Sequence, residues 1–363
     1  MDDKKRYHYL DNIKWVLAIL VIIHHSASAA GLDPIGFNLP KVIKSNQWQY
    51  DVLSNLQGIN QSFFMSLFFF ISAYFIYPSL IKKGNIHFIL DKLKRLGIPV
   101  LITVFIITPI VAYLGPLHAS YLYVLKFYGN LLKTANMQLG VTWFCWALIV
   151  FNIFFLIAHK LFSSNKEKHY QQKPIPNVLV IILLTVIIIV FNAIGLYLQN
   201  LLGENFLGLH DLKYFPMYIL MFYLGIKAYQ YQWLDQINFK HAFVGILMWL
   251  FAYAFLLKIL SGYGFNGYVL IRGFTVIGLC LFLIYAFKAL FNNTNKFTRI
   301  LSRSSYAAYV IQVIPLVIFT SILRLFMTET PLANFIIIAI PSVVFSFILG
   351  YLICKLPVLK RIF

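Results

Sequence analysis

The chain has 363 residues, of which 61% are hydrophobic and 11% charged, with a formal net charge of +19. A water-soluble chain carries about 25% charged residues, so composition excludes a soluble globular fold and points to an all-α, polytopic integral membrane protein. The positive charge does not make the chain a nucleic-acid binder, because its basic residues are scattered between apolar runs and form no basic domain.

Ten apolar runs are long enough to cross a bilayer, at roughly 12–30, 62–80, 96–114, 141–162, 177–197, 212–229, 241–260, 268–290, 305–325 and 332–353. Charge between the runs sets their direction. With a cytoplasmic N-terminus, 22 of the 30 Lys and Arg residues fall on the inner side, seven fall outside, and Arg272 is left within the eighth run. That alternation follows the positive-inside rule and predicts ten spans with both termini cytoplasmic. A second reading of the start, basic residues and an apolar core before SASAA, is a cleaved secretory signal. Two histidines and a Lys-Trp pair are foreign to such a core. No linker, low-complexity tract or repeat divides the chain, so residues 1–363 read as a single transmembrane domain without a separate soluble one.

The longest less apolar stretches, 31–61 and 115–140, lie outside by this count and carry Trp48, Tyr50, His118, Tyr121 and Tyr123. Aromatic residues at that depth form an interfacial belt; a sugar-binding platform is the sharper alternative. The three cysteines, Cys145, Cys280 and Cys354, fall within apolar runs without metal or disulfide spacing and read as small buried thiols. No metal cluster, phosphate-cradling glycine loop or zinc motif is present, and no metal or permanently bound cofactor is expected.

The first run holds the most informative pair, Lys14 and His25, eleven residues apart. On an α-helix that spacing is about three turns and about 16 Å, so both side chains share one stripe near opposite ends of one span. Asp11, three residues before Lys14, joins the stripe, whereas His24 points about 80° away from Lys14. Ionisable residues inside a membrane helix are costly and mark functional sites.

Around this pair the chain resembles the acyltransferase-3 family of membrane enzymes, which O-acylate sugars and other cell-surface molecules. The family's opening signature, Leu-Asp and a basic residue followed by histidine, is matched by Leu10, Asp11, Lys14 and His25. Its second block is matched by FFFISAYFIYP and DKLKRLGIP, where Ser72 and Arg95 are kept and Ala73 and Lys92 replace the usual glycine and arginine. Further blocks are TWFCWALIVF around Trp143 and Phe144, and YFPMYILMFYLGI with Phe215, Pro216, Phe222 and Gly225. In the last block, LSRSSYAAYVIQ, Tyr309 is kept and Gln312 stands where the family often has histidine. Within the family the chain looks most like the group that succinylates glucans.

The resemblance implies an O-acyltransferase of the bacterial plasma (inner) membrane. Acyl-CoA would be its donor substrate and a cell-envelope glycan or lipid-linked sugar its acceptor. His25 suits the general base, since histidine's ordinary pKa is near 6.5; a covalent acyl-imidazole and a histidine satisfied by a neighbouring carbonyl are the alternatives. His24 reads as packing or support. Lys14 fits either a snorkelling anchor or a contact to coenzyme A phosphates, and Asp11 would orient it or stabilise the helix start. Lys92 and Arg95 are a second candidate dock for those phosphates. Arg272 is open between snorkelling and recognition of an anionic acceptor or acyl carbonyl. Trp143 and Ser72 are further substrate-side candidates, although Ser72 fits helix packing better than nucleophilic attack. Some family members carry an extra hydrolase-like domain; here direct transfer, a partner transferase or a homodimer would take its place. Two other classes compete. One is a secondary transporter, which lacks the expected paired interrupted spans; the other is a membrane scaffold indifferent to loss of Lys14 and His25.

Overall fold

The computed structural model describes residues 7–32, 47–114, 120–133, 137–162, 172–256, 267–326 and 330–363. Among them the secondary structure is helical, without a β-strand. The α-helices are α1 (His8–Ala27), α2 (Gln47–Tyr74), α3 (Ile76–Lys83), α4 (Asn85–Lys92), α5 (Ile98–Ile102), α6 (Thr108–Leu114), α7 (Tyr121–Lys133) and α8 (Trp143–Phe162). They continue as α9 (Val178–Leu202), α10 (Phe215–Gln230), α11 (Trp233–Gln236), α12 (Phe239–Phe251), α13 (Gly267–Leu290), α14 (Lys296–Ile311), α15 (Val313–Leu323) and α16 (Pro331–Lys355).

Seven helical stretches among the described residues are long and apolar enough to cross a membrane, and α14 with α15 makes an eighth if that bent pair is one span. The protein is therefore a multi-pass membrane protein. The sixth and seventh expected spans coincide with α10 and α12, of 16 and 13 residues. Helical turns at Leu212–Tyr214 and Ala252–Leu256 extend them. The end of the seventh expected span, His118, and the Lys4, Lys5 and Arg6 used to orient the N-terminus lie outside the described residues.

Local chemistry explains where helices start and bend. The Asn177 side chain accepts from the Val180 N–H at 3.0 Å and opens α9. Asn295 and Thr298 form a reciprocal capping box that opens α14. The 63° bend between α14 and α15 falls at Gln312. Pro315, one turn later, has no N–H for the Ile311 carbonyl, and its ring clashes with that carbonyl, so a straight helix cannot continue.

The chain divides into two compact units. The first comprises Met1–Ile13, Ser62–Lys92 and Leu148–Thr294; the second comprises Lys14–Gln61, Leu93–Ala147 and Asn295–Phe363. In the first unit, small residues bring helix backbones into contact, the packing expected where lipid supplies no hydrophobic drive. A Cβ on Gly225 of α10 would lie 2.3 Å from the Phe70 carbonyl oxygen and 2.8 Å from the Ala73 Cβ on α2. Phe69 of α2 stacks on Tyr218 of α10 with ring centroids 4.9 Å apart, and Phe151 of α8 lies 5.1 Å from Phe69. Asn12 donates to the Phe291 and Asn293 carbonyls at 2.6 and 3.0 Å, tying the start of α1 to the turn after α13.

In the second unit, Ala18 and Ile22 of α1 pack with Ala308 of α14 and Phe347 of α16. Gly350 of α16 sits against the backbone of Ser304 and Ala308, so α14 and α16 meet closely. Ala27, Ala30 and Leu53 form a separate apolar cluster where α1 ends.

Candidate active site

Asp11, Lys14 and His25 all lie in α1, a regular α-helix from His8 to Ala27, so the single stripe expected from their spacing is realised. All three are half-buried. Asp11 occupies the first turn and His25 the last, the ends where an acid and a base respectively complement the helix dipole. Beyond Ala27 the chain kinks within Ser28–Leu32, where Gly31 takes a φ of 107°. Glycine adopts that left-handed backbone without a Cβ clash.

A residue that sequence spacing did not reveal holds this end of the helix. Gln57 of α2 donates from Nε2 to the His24 carbonyl at 3.0 Å and to Ser28 Oγ at 2.6 Å. It thus ties the His24 backbone and the Ser28 side chain, on either side of His25, to α2. The two histidine rings meet edge-on, 5.5 Å apart. Gln57→Leu is expected to destabilise the protein by about 1–3 kcal/mol, the cost of orphaning buried hydrogen-bonding groups. The checks are the thermal midpoint in detergent and the transfer rate, and both should fall.

Also in the second unit, two tyrosines one turn apart on α14 organise the other motif residues. Tyr306 donates to the Arg95 carbonyl at 2.7 Å, and its hydroxyl lies 3.4 Å from Cys145 Sγ. Tyr309 donates to the Val141 carbonyl. Arg95 itself sits exposed in a π-helical turn, Leu93–Gly97. Trp143 is buried against Phe144, and Phe144 meets Tyr309 edge-on at 6.3 Å. Gln312 is fully buried; its Nε2 donates to the Tyr309 carbonyl, and its Oε1 has no partner among the described residues. Lys14, His25, Arg95 and Trp143 therefore share one unit with Gln57, Tyr306, Tyr309 and Gln312.

The first unit holds Asp11, Ser72, Lys92 and Arg272. Ser72 is half-buried in α2. Lys92 is half-buried at the end of α4, its Nζ 5.5 Å from the centre of the Phe88 ring. Arg272 is only 4% exposed. That burial contradicts snorkelling, which would carry the guanidinium to water. A Glu204, His210 and Asp211 group, unseen in the sequence, brings ligand-type atoms within 4.8 Å of one another.

The aromatic candidates divide. Trp48, Tyr121 and Tyr123 are exposed, as a belt or platform requires, whereas Tyr50 is buried. All three cysteines are free thiols, two buried and Cys354 half-buried.

Fold and composition together define a multi-pass helical membrane protein. A model of the acyltransferase-3 family, described as an acyltransferase domain, matches residues 7–351, and the chain belongs to that family. Its general activity is that of a membrane acyltransferase. Comparison with curated proteins and with solved structures gave no match.

Proposed function

We propose that this protein O-acylates an extracytoplasmic acceptor, moving an acetyl or succinyl group from cytoplasmic acyl-CoA to a hydroxyl of a cell-envelope glycan or lipid-linked sugar. The observation that carries the reading is the placement of Lys14 and His25 on one α-helix of a chain matched by the family almost throughout. The imidazole of His25 takes the acceptor's hydroxyl proton, and the oxygen attacks the thioester carbonyl. A C–O ester bond forms, the C–S bond breaks, and the imidazolium returns its proton to the departing coenzyme A thiolate. Lys14, with Asp11 orienting it, and the basic pair Lys92 and Arg95 hold coenzyme A phosphates through charge-assisted hydrogen bonds. Trp143 and Ser72 serve the substrate side. The whole chain acts as one catalytic transmembrane domain in a bacterial inner membrane, alone, as a homodimer or with a partner transferase.

Arg95→Gln tests the donor site. Arg95 is exposed, and loss of its charge is expected to raise the KM for acyl-CoA about tenfold, the equivalent of about 1.4 kcal/mol, with a smaller effect on kcat. Lys92→Gln should act in the same direction. Steady-state kinetics on purified membranes decide; an unchanged KM in both variants removes this pair from the donor site.

A further inference from the structure

We infer that the first unit contains a binding site for an oxyanion, a carboxylate or phosphate, built on Arg272 and Lys213. This deepens the proposed function by naming the chemistry of a substrate group. The Arg272 guanidinium carbon lies 3.4 Å from the centre of the Tyr214 ring. Lys213 Nζ lies 5.0 Å from the centre of the same ring. The Asp211 carboxylate is 3.1 Å from Lys213 and groups with Glu204 and His210. Arg272 Nη1 is buried without a hydrogen-bond partner among the described residues. A buried guanidinium group left without a partner is strongly unfavourable, so Nη1 is a donor available to a further group.

Close packing holds these elements in place. A Cβ on Gly273, the residue after Arg272, would lie 2.3 Å from the Thr185 carbonyl oxygen of α9. A Cβ on Gly195 of α9 would lie 2.3 Å from the Lys213 carbonyl oxygen. The two backbone contacts clamp α13 and the 212–214 turn onto one stripe of α9, along which Thr185, Ile188, Asn192 and Gly195 are buried. Asn192 falls between the contacts, fully buried, with neither amide atom partnered among the described residues. A guanidinium stacked by its face on an aromatic ring keeps its N–H edge for a second partner, and that edge matches an oxyanion bidentately. The unpartnered Nη1 of Arg272, Lys213 and the uncommitted Asn192 amide are the donors such a group needs. Two substrates would present it: the free carboxylate of a dicarboxylic acyl group, or the phosphate of a lipid-linked sugar.

The test is the thermal midpoint of the purified full chain in an uncharged detergent, titrated with inorganic phosphate or succinate, with chloride as the ionic-strength control. A ligand that binds only the folded state raises the midpoint with concentration. Wild type should be stabilised by at least one oxyanion beyond chloride, Arg272→Gln by none, and Lys213→Gln more weakly than wild type. A response to phosphate alone assigns the sugar phosphate, and a response to succinate alone assigns the dicarboxylic acyl group. If Arg272→Gln does not fold, Arg272→Lys retains the charge but not the fork and should weaken binding about tenfold. The inference is overturned if neither anion exceeds chloride, or if the Arg272 variant that folds responds as wild type does. Because no acyl transfer is read, failure of this site is distinguishable from failure of the proposed reaction.

Discussion

His25→Ala is expected to lower acyl transfer by about 10²–10⁴-fold, the contribution of a positioned general base, at unchanged abundance in the membrane. The side chain sits in the last turn of α1 and is only half-buried, so its truncation empties no fully buried site. The neighbouring backbone is held independently by Gln57. Folding should therefore survive, and the loss should appear in kcat. His24→Ala is the matched comparison: its effect should be much smaller, because His24 lies off the Lys14–His25 stripe. Equal losses in the two variants would count against a chemical role for His25 in particular.

Gly225→Leu is expected to abolish accumulation of folded protein. Its Cβ would fall 2.3 Å from the Phe70 carbonyl oxygen and 2.8 Å from the Ala73 Cβ. Neither obstacle is the end of a flexible side chain, so α10 must move off α2. Overpacking costs about 1–3 kcal/mol where side chains can yield, and a displaced helix costs more. The movement would also break the stack of Phe69 on Tyr218. Gly129→Leu on α7 is the control, since nothing lies within 4 Å of its Cβ position. Size-exclusion profiles of the detergent-extracted variants separate the two outcomes.

The features visible in the sequence were those with a local signature. Long apolar runs identified the class, and the eleven-residue spacing of Lys14 and His25 put them on one stripe of α1, whereas α2 starts at Gln47 and α7 at Tyr121, within the less apolar stretches. Gln57 was invisible because its bonds to His24 and Ser28 join segments about thirty residues apart and leave no periodic trace. The bend at Gln312 was written in Pro315, yet the apolar run continues through it and reads as one straight span. Arg272 was recognisable as unusual, but its burial depends on Tyr214 and on close backbone packing at Gly195 and Gly273, a long-range arrangement. The Tyr306 and Tyr309 tethers to Arg95 and Val141 arise in the same way, from residues that meet only in the fold.

The measurement that tests the central claim most directly is mass spectrometry of envelope glycans from cells lacking the protein, complemented with wild type or His25→Ala at matched membrane abundance. Wild type should restore an acyl group whose mass identifies it as acetyl or succinyl, and His25→Ala should not. Full restoration by His25→Ala would contradict the catalytic assignment, and identical acylation in every strain would contradict glycan O-acylation itself.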